Sequence, residues 1–325
     1  MKCPQCTANH QRKAGMRCAC GYQFTFDPKT DGISDGKFLS AVRLASGNDT
    51  YYFTINQLHT ALCRKFHSPI GWLVILGVLC VTSPCHLGLL YPGFMLMAPL
   101  GLVLMIAAAV NYFQNRWHSF QTTEKRLKRW LADNKSIEKY LFAAQLQQPP
   151  PEWKEADIYA YGCERILLVQ HDLLVDLFVK NGFHTQHRAL VMSMSGYPHY
   201  LQPVAEKALQ ENPQLPILLL HDSTLDGLEM PVRLPTRAAW LPVGEHPVID
   251  LGITPEDVKR LKQLRPTNPG GRNYEIPVDC LLYASLAQKV GVAGEQQTPM
   301  TELLAEPEFE IGGWRFTSSS DSSFG

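Results

Sequence analysis

Residues 70–113 read IGWLVILGVLCVTSPCHLGLLYPGFMLMAPLGLVLMIAAAVNYF, with no Asp, Glu, Lys or Arg among them. At 44 residues the run is about twice the ~20 that a helix needs to cross a bilayer. Tyr91-Pro92-Gly93 is turn chemistry and breaks a single long helix. The stretch therefore predicts a two-helix transmembrane hairpin, with spans near 70–90 and 93–113. Ser83-Pro84-Cys85 offers an alternative turn, with a short first helix and a long second one. A buried helical hairpin in a soluble core is the other reading. It normally carries a polar stripe, and here both faces are apolar.

Charge extends the scheme outward. Residues 1–150 hold 16 Lys and Arg against 7 Asp and Glu, and residues 151–325 hold 14 against 23. Arg64, Lys65, Arg116, Lys125, Arg126, Lys128 and Arg129 flank the hairpin, whose turn has no charge. The positive-inside bias then predicts a multi-pass protein of the bacterial inner membrane, with both termini cytoplasmic and the lipid bilayer as a partner. No cleavable signal peptide is read at the polar, cysteine-rich start. The acidic C-terminal half argues against sequence-independent DNA binding there, which needs Lys and Arg on phosphates. With a cytoplasmic setting, the nine cysteines are not expected to form structural disulfides.

The sharpest motif is Cys3-Pro-Gln-Cys6 followed by Cys18-Ala-Cys20-Gly21-Tyr22. Two cysteine pairs on short hairpins place four thiolates around one tetrahedral ion, and Gly21 permits the turn of the second pair. The second pair is C-x-C rather than the commoner C-x-x-C. A redox pair is the rival, but two pairs this close favour a structural Zn²⁺ on Cys3, Cys6, Cys18 and Cys20. Such a short segment has almost no core, so the metal supplies most of its folding free energy.

The expected organisation has five parts: a zinc ribbon at 1–26, a small helical module at 27–67, the hairpin at 68–113, a juxtamembrane helix at 114–148, and a cytoplasmic α/β domain at 149–325 with a disordered tail from about 317. In the module, Asp35 is a candidate cap for a helix with Phe38, Leu39, Val42 and Leu44, and Thr54 for one with Ile55, Leu58, Ala61 and Leu62. Two helices about a turn leave nucleic-acid binding through residues 1–65 open. In the juxtamembrane segment, Trp117 and Trp130 beside basic residues suit the headgroup zone. Gln148-Pro149-Pro150-Pro151 reads as a stiff linker.

Beyond it, strand and helix patterns alternate: strands at 165–169, 189–194 and 215–220, helices at 173–181 and 200–211, with Gly182 as a C-cap. This βαβαβ order predicts a small parallel sheet with helices on its faces. Further helices are read at 254–264 and 281–290, with a loop at 266–272 between them.

The residues CPQC…CACGYQFTFDPKTDGISDGKFLSAVRLAS…YYFTINQLHTALCRK resemble the N-terminal part of a family of uncharacterised bacterial proteins. In that family a zinc ribbon precedes a helical segment and membrane spans, and the resemblance implies no activity. RILLVQHD, ALVMSMSGYP, LPILLLHDSTLDG, LGITPEDVKRL and NYEIPVDCLL are similar in layout to the Toprim fold of topoisomerases and primases. That family places a Glu after its first strand and a D-x-D after its third, for Mg²⁺-dependent phosphodiester chemistry. Here Gln170 stands where the Glu is expected, and Asp222 and Asp226 are four apart rather than two. An amide neither acts as acid or base nor gives the metal negative charge.

Sites in an open parallel sheet form at the carboxyl ends of its strands. If the first and third strands are neighbours, His171, Asp172, His221, Asp222 and Asp226 converge and are candidates to hold Mg²⁺, Mn²⁺ or a softer ion. The bland alternative makes Asp172 and Asp222 helix caps. His184 and His187 read as surface residues of a loop. No phosphate-binding loop, dinucleotide turn or nucleophile elbow is present; Ser195 follows a strand without one. The expected function is a membrane-anchored interaction or regulatory protein with an unknown protein partner and a non-catalytic α/β domain. A Toprim-like metal-dependent enzyme acting through Asp172, Asp222 and Asp226 is the alternative.

Overall fold

The computed structural model describes residues 1–66, 120–133, 135–148, 162–260, 275–297, 308–311 and 314–317. The expected hairpin at 68–113, the proline linker at 149–151, the loop at 266–272 and the tail after 317 lie outside the described residues. So do Trp117 and Arg116.

The described chain forms two compact units. The first holds residues 1–42, 61–66, 120–133 and 135. It starts with two short antiparallel bridges, Lys2 with Asn9 and Arg17 with Gln23, which form the hairpins of the ribbon. Helix α1, Asp35–Ala45, follows. Its buried Phe38, Ala41, Val42 and Ala45 recur at helical spacing. Asp35 does not cap that helix, as the sequence suggested. Its carboxylate turns back to accept the backbone N–H groups of Thr25 (3.0 Å) and Phe26 (2.8 Å), while Ser34 Oγ takes the Lys37 N–H at 3.3 Å. Helix α2 is Ile55–Phe66, whose cap is Thr54: its Oγ1 accepts from Gln57 N. Helix α3 is Phe120–Ala132.

Helix α3 corrects the membrane scheme. Trp130, expected among lipid headgroups, is 3% exposed and packs on Phe38 (4.9 Å between ring centres) and Phe26 (6.0 Å). Three of the basic residues near it bond to groups of the chain itself. Arg126 donates to Asp31 O at 2.9 Å, Arg129 pairs with the Asp31 carboxylate at 2.9 Å, and Lys135 with that of Asp35 at 3.0 Å. Among the described residues no helix is long and apolar enough to cross a membrane. The longest of them, Tyr283–Gln296, has 14 residues, against the ~20 a span requires. The fold class built on a transmembrane hairpin and the multi-pass inner-membrane location are both corrected by this finding. The helix expected over 114–148 also stops at Ala132. Residues 135–148 run without helix, and Tyr140 bridges Phe53 in parallel.

The second unit holds residues 43–60, 136–148, 162–260 and 275–297, with a hairpin further on. Its centre is a parallel sheet in the order β2-β1-β3-β4, from β1 Arg165–Val169, β2 Ala189–Ser193, β3 Ile217–Leu220 and β4 Val248–Asp250. Between β1 and β2 come α4, Asp172–Lys180, and the short α5, Phe183–Gln186. Helix α6, Gln202–Glu211, leads to β3. Helices α7, Leu225–Leu228, and α8, Met230–Arg237, lead to β4. Next come α9, Pro255–Arg260, and α10, Tyr283–Gln296. Strands β5, Glu308–Ile311, and β6, Trp314–Thr317, form an antiparallel pair.

Helices cover both faces of the sheet, which is why β1, β2 and β3 are apolar without alternation. On one face Leu167, Val169, Val191 and Leu218 pack with Phe178 of α4 and with Leu286 and Val290 of α10. On the other, Ile166, Leu168, Met192 and Leu219 pack with Ala205 and Leu209 of α6 and with Leu234 of α8. Gly294 lets α10 lie close to β3: a Cβ there would come within 2.6 Å of Leu218 Cδ1, which would have to turn aside. Gly182 takes the left-handed conformation (φ 78°) that the sequence reading expected of a C-cap. The stretch 43–60, read as part of a separate module, is integral to this unit. Tyr52 N donates to Asn181 Oδ1 at 2.7 Å, and Gln57 Nε2 to Leu281 O at 3.0 Å.

Candidate functional site

Two places draw polar chemistry together, one in each unit. In the first unit the ribbon hairpins bring four sulfurs to a point. The Sγ atoms of Cys3, Cys6, Cys18 and Cys20 all lie within 4.8 Å of one another. Cys3 to Cys20 and Cys6 to Cys18 are each 3.6 Å. A tetrahedral ion with ~2.3 Å bonds to sulfur places its ligands ~3.8 Å apart, so the set fits a metal ion. No other group of three or more His, Cys, Asp or Glu among the described residues reaches that proximity.

Local backbone geometry explains the arrangement. The residue after each cysteine pair is left-handed: Thr7 at φ 60° and Gly21 at φ 93°. Backbone N–H groups within each turn bond to sulfur. Burial by itself raises the Cys3 thiol. The N–H groups of Cys6 and Gln5, then the thiols of Cys20 and Cys6, outweigh it and lower Cys3 to about 7. Cys20 is lowered by the Tyr22 N–H, but burial and the thiols of Cys6, Cys18 and Cys3 raise it to about 12. Four thiolates this close repel one another unless a cation sits among them. An ion held by all four thiols would have no coordination position open for a substrate.

A latch holds the ribbon's second hairpin. Lys135 Nζ donates to Gln23 O (2.6 Å), Thr25 Oγ1 (2.8 Å) and Tyr22 Oη (3.1 Å), and lies 4.3 Å above the Tyr22 ring and 4.5 Å above that of Trp130. Tyr22 Oη in turn donates to Asp35 at 2.7 Å. Burial, then Asp35, raises the Tyr22 phenol far above its ordinary value, so it remains a donor.

In the second unit β1 and β3 are neighbours, so the sheet order reverses between them and the crevice lies at their carboxyl ends. The structure brings His171 and Asp222 together, Nε2 to Oδ2 at 3.2 Å. The other carboxylate oxygen of Asp222 accepts the Val278 N–H at 2.7 Å. The remaining candidates do not join them. Asp172 accepts from Ser193 Oγ (2.6 Å) and Ser195 Oγ (2.8 Å), which accounts for Ser195 without an elbow. Asp226 is ion-paired with Arg237 and accepts from Gln170 Nε2 at 3.3 Å. Gln170 Oε1 accepts the Asp222 N–H at 2.9 Å, a structural use for the amide. Neither Asp172 nor Asp222 caps as the bland reading had it: Thr224 caps α7, its Oγ1 accepting from Gly227 N.

His221 faces away from that pair. It is 1% exposed, with Nδ1 2.7 Å from Asp222 O and Nε2 3.1 Å from the Asp250 carboxylate. Burial lowers its basicity, but Asp250 and the Asp222 carbonyl outweigh burial and raise it. His171, hydrogen-bonded to Asp222, is raised as well.

Sequence reasoning missed Asp279, which is 5% exposed and belongs to this cluster. Its Oδ2 accepts from Thr54 Oγ1 at 2.5 Å and its Oδ1 from Asn56 Nδ2 at 2.8 Å. A lone acid in the apolar run Ile276-Pro-Val-Asp-Cys-Leu-Leu282 was the available signal. The same contacts occupy the polar start of α2, which a nucleic-acid-reading helix would need free. His184 and His187 also differ from the surface residues expected. His184 is 6% exposed on α5, and the His187 ring would lie 2.4 Å from a Cβ on Gly291.

Compared with protein-family models, curated proteins and solved structures, the chain matches none.

Proposed function

We propose that the chain is a non-catalytic interaction or regulatory protein. In this reading a ribbon is folded around one structural Zn²⁺, and an α/β unit holds a partner or ligand without turning it over. One observation carries it: at the sheet's carboxyl edge, the acids that metal-dependent phosphodiester chemistry would use are each engaged with the protein itself. Asp172 is held by Ser193 and Ser195, Asp222 by Val278 N and His171, and Asp226 by Arg237 and Gln170. An all-thiolate tetrahedron suits Zn²⁺, and with no open position it builds structure rather than performing turnover.

Elemental analysis of the purified full chain tests the ribbon; one zinc per chain is expected, and none refutes it. Titration with Mg²⁺ or Mn²⁺ tests the second unit. The expected result is no site, and a site abolished by both Asp222→Ala and Asp226→Asn overturns the non-catalytic reading.

A single contact favours a second reading. His171, with a side chain 56% exposed, rests on an Asp222 side chain 5% exposed, an arrangement that serves general acid–base catalysis. Hydrolysis of an activated phosphodiester by the wild type, lost in His171→Ala with folding intact, would establish it. A rate equal to buffer in both proteins removes it.

A further inference from the structure

The turn at 27–32 and the start of α1 border a cavity of about 400 Å³ in the first unit, on residues other than the four cysteines. Its lining brings Arg12, Lys29 and Lys37 together with a single acid among the described residues, Asp27. That acid is committed: its carboxylate accepts from Arg12 Nε at 2.6 Å and from the Lys29 N–H at 3.0 Å. Residues 1–42 hold six Lys and Arg against three Asp, and the other two, Asp31 and Asp35, are paired with Arg129 and Lys135. The acids of this stretch therefore leave a surplus of positive charge at the cavity. Lys29 is exposed, and its ammonium makes no hydrogen bond or ion pair among the described residues. Its backbone is fixed, because Asp27 O accepts the Thr30 and Asp31 N–H groups at 3.2 and 2.8 Å. Arg12 meets Asp27 through Nε, which leaves the outer edge of its guanidinium for a second oxyanion. Ser34 Oγ accepts the Lys37 N–H at 3.3 Å and keeps its own proton to donate.

We propose that this cavity binds a phosphate group, carried by a small phosphate monoester or by a nucleic-acid strand. The site lies in the ribbon unit and does not depend on whether the α/β unit is catalytic. A phosphate presents three strong acceptor oxygens and up to two charges, so it answers several separated cations at once, where a carboxylate has two oxygens and one charge. Lysine acts on it as a point charge and arginine as a planar fork. The start of α1 adds to the field. Asp35, in its first turn, sends its carboxylate to the Thr25 and Phe26 N–H groups and to Lys135, so it does not cancel that end of the helix. The volume is at the small end of ligand cavities. Contacts of this kind hold a strand by its backbone and read no base, in keeping with an α2 whose polar start is occupied.

The test is calorimetric titration of the full chain with ribose 5-phosphate, with a short single-stranded DNA, and with ribose as the uncharged control. At least one phosphate-bearing probe is expected to bind and ribose is not. Lys29→Gln is expected to weaken that binding about tenfold, the size of one charge-assisted hydrogen bond, with the melting temperature unchanged because the side chain is exposed. Lys2→Gln, at an exposed lysine outside the cavity, is expected to leave binding unchanged. Binding of ribose 5-phosphate identifies the monoester as the source, and binding of DNA alone identifies the strand. The proposal is overturned if neither probe binds, if ribose binds equally well, or if Lys2→Gln weakens binding as much as Lys29→Gln. Zinc content measured on the same samples keeps the two readings apart. Phosphate binding by a chain without zinc refutes the metal alone, and a zinc-loaded chain that binds neither probe refutes the cavity alone.

Discussion

Asp279 carries a penalty that pH should reveal. Its carboxyl sits in the short 3-10 turn Val278–Cys280. Burial is the largest influence on it and the Asp222 charge adds, while Thr54, Asn56 and His171 oppose. The net effect pushes it from 3.8 up to about 6. A rise from 3.8 to about 6 means that the charged, folded form costs about 3 kcal/mol. An acid whose folded pKa is raised binds its proton more tightly in the native state. Between pH 4 and 6 the native state then holds more protons, and stability falls as pH rises. The penalty is absent below pH 4 and complete above pH 6. Asp279→Asn removes the titration and leaves His171 and Asp222 in both proteins. Urea unfolding of full-length wild type and variant, in matched buffers from pH 4 to 7, measures the effect. The wild type should lose about 3 kcal/mol relative to the variant across that range. Parallel stability curves would refute the burial argument.

Four further outcomes follow from the geometry. If Cys6 is a ligand of the proposed Zn²⁺, Cys6→Ser should lower the zinc found per chain by elemental analysis to near zero, with loss of ribbon structure by NMR. Thr7→Gly relieves a β-branched residue at φ 60° and should raise the resistance of the loaded ribbon to chelator by about 1 kcal/mol. Gly227→Ala sets a Cβ 2.3 Å from Asp222 O and 2.8 Å from Gln170 Oε1, whereas Gly36→Ala in α1 meets nothing within 4 Å. The first should cost about 2 kcal/mol or more in thermal unfolding and the second should gain about 0.5 kcal/mol. Lys135→Met leaves the buried Asp35 carboxylate without its cation and should cost about 2–3 kcal/mol by denaturant unfolding.

Much of the α/β unit was legible because its strands are buried on both faces. Continuous runs such as Arg165-Ile-Leu-Leu-Val169 carry that signature directly, and the Cys3 to Cys20 spacing announced in the same way a group of thiols close enough to hold a metal ion. Strand β4 was not legible: Val248, Ile249 and Asp250 are short and part-exposed at a sheet edge, so no apolar run marks them. Trp130 with its Lys and Arg neighbours was ambiguous. An aromatic residue among cations reads the same whether acidic lipid or an acidic segment such as Asp31 to Asp35 lies opposite. Asp222 and Asp226 were identified as acids, but only tertiary structure could show that Asp226 is claimed by Arg237. Residues 43–60 carry no local sign that Tyr52 and Thr54 meet Asn181 and Asp279, more than a hundred positions later.

The Lys135 ammonium over the Trp130 ring has a consequence for the order of events during synthesis. Lys135 reaches Tyr22 across 113 positions of chain, an interval of roughly 6–23 s at ribosomal rates of 5–20 residues per second. The cysteines therefore emerge and can capture their ion well before the residue that clamps their second hairpin exists. For those seconds the nascent ribbon depends on metal alone, and Asp35 waits without its cation. If the four thiols hold an ion as proposed, a shortage of that metal would strain this protein first at that moment, before the finished molecule.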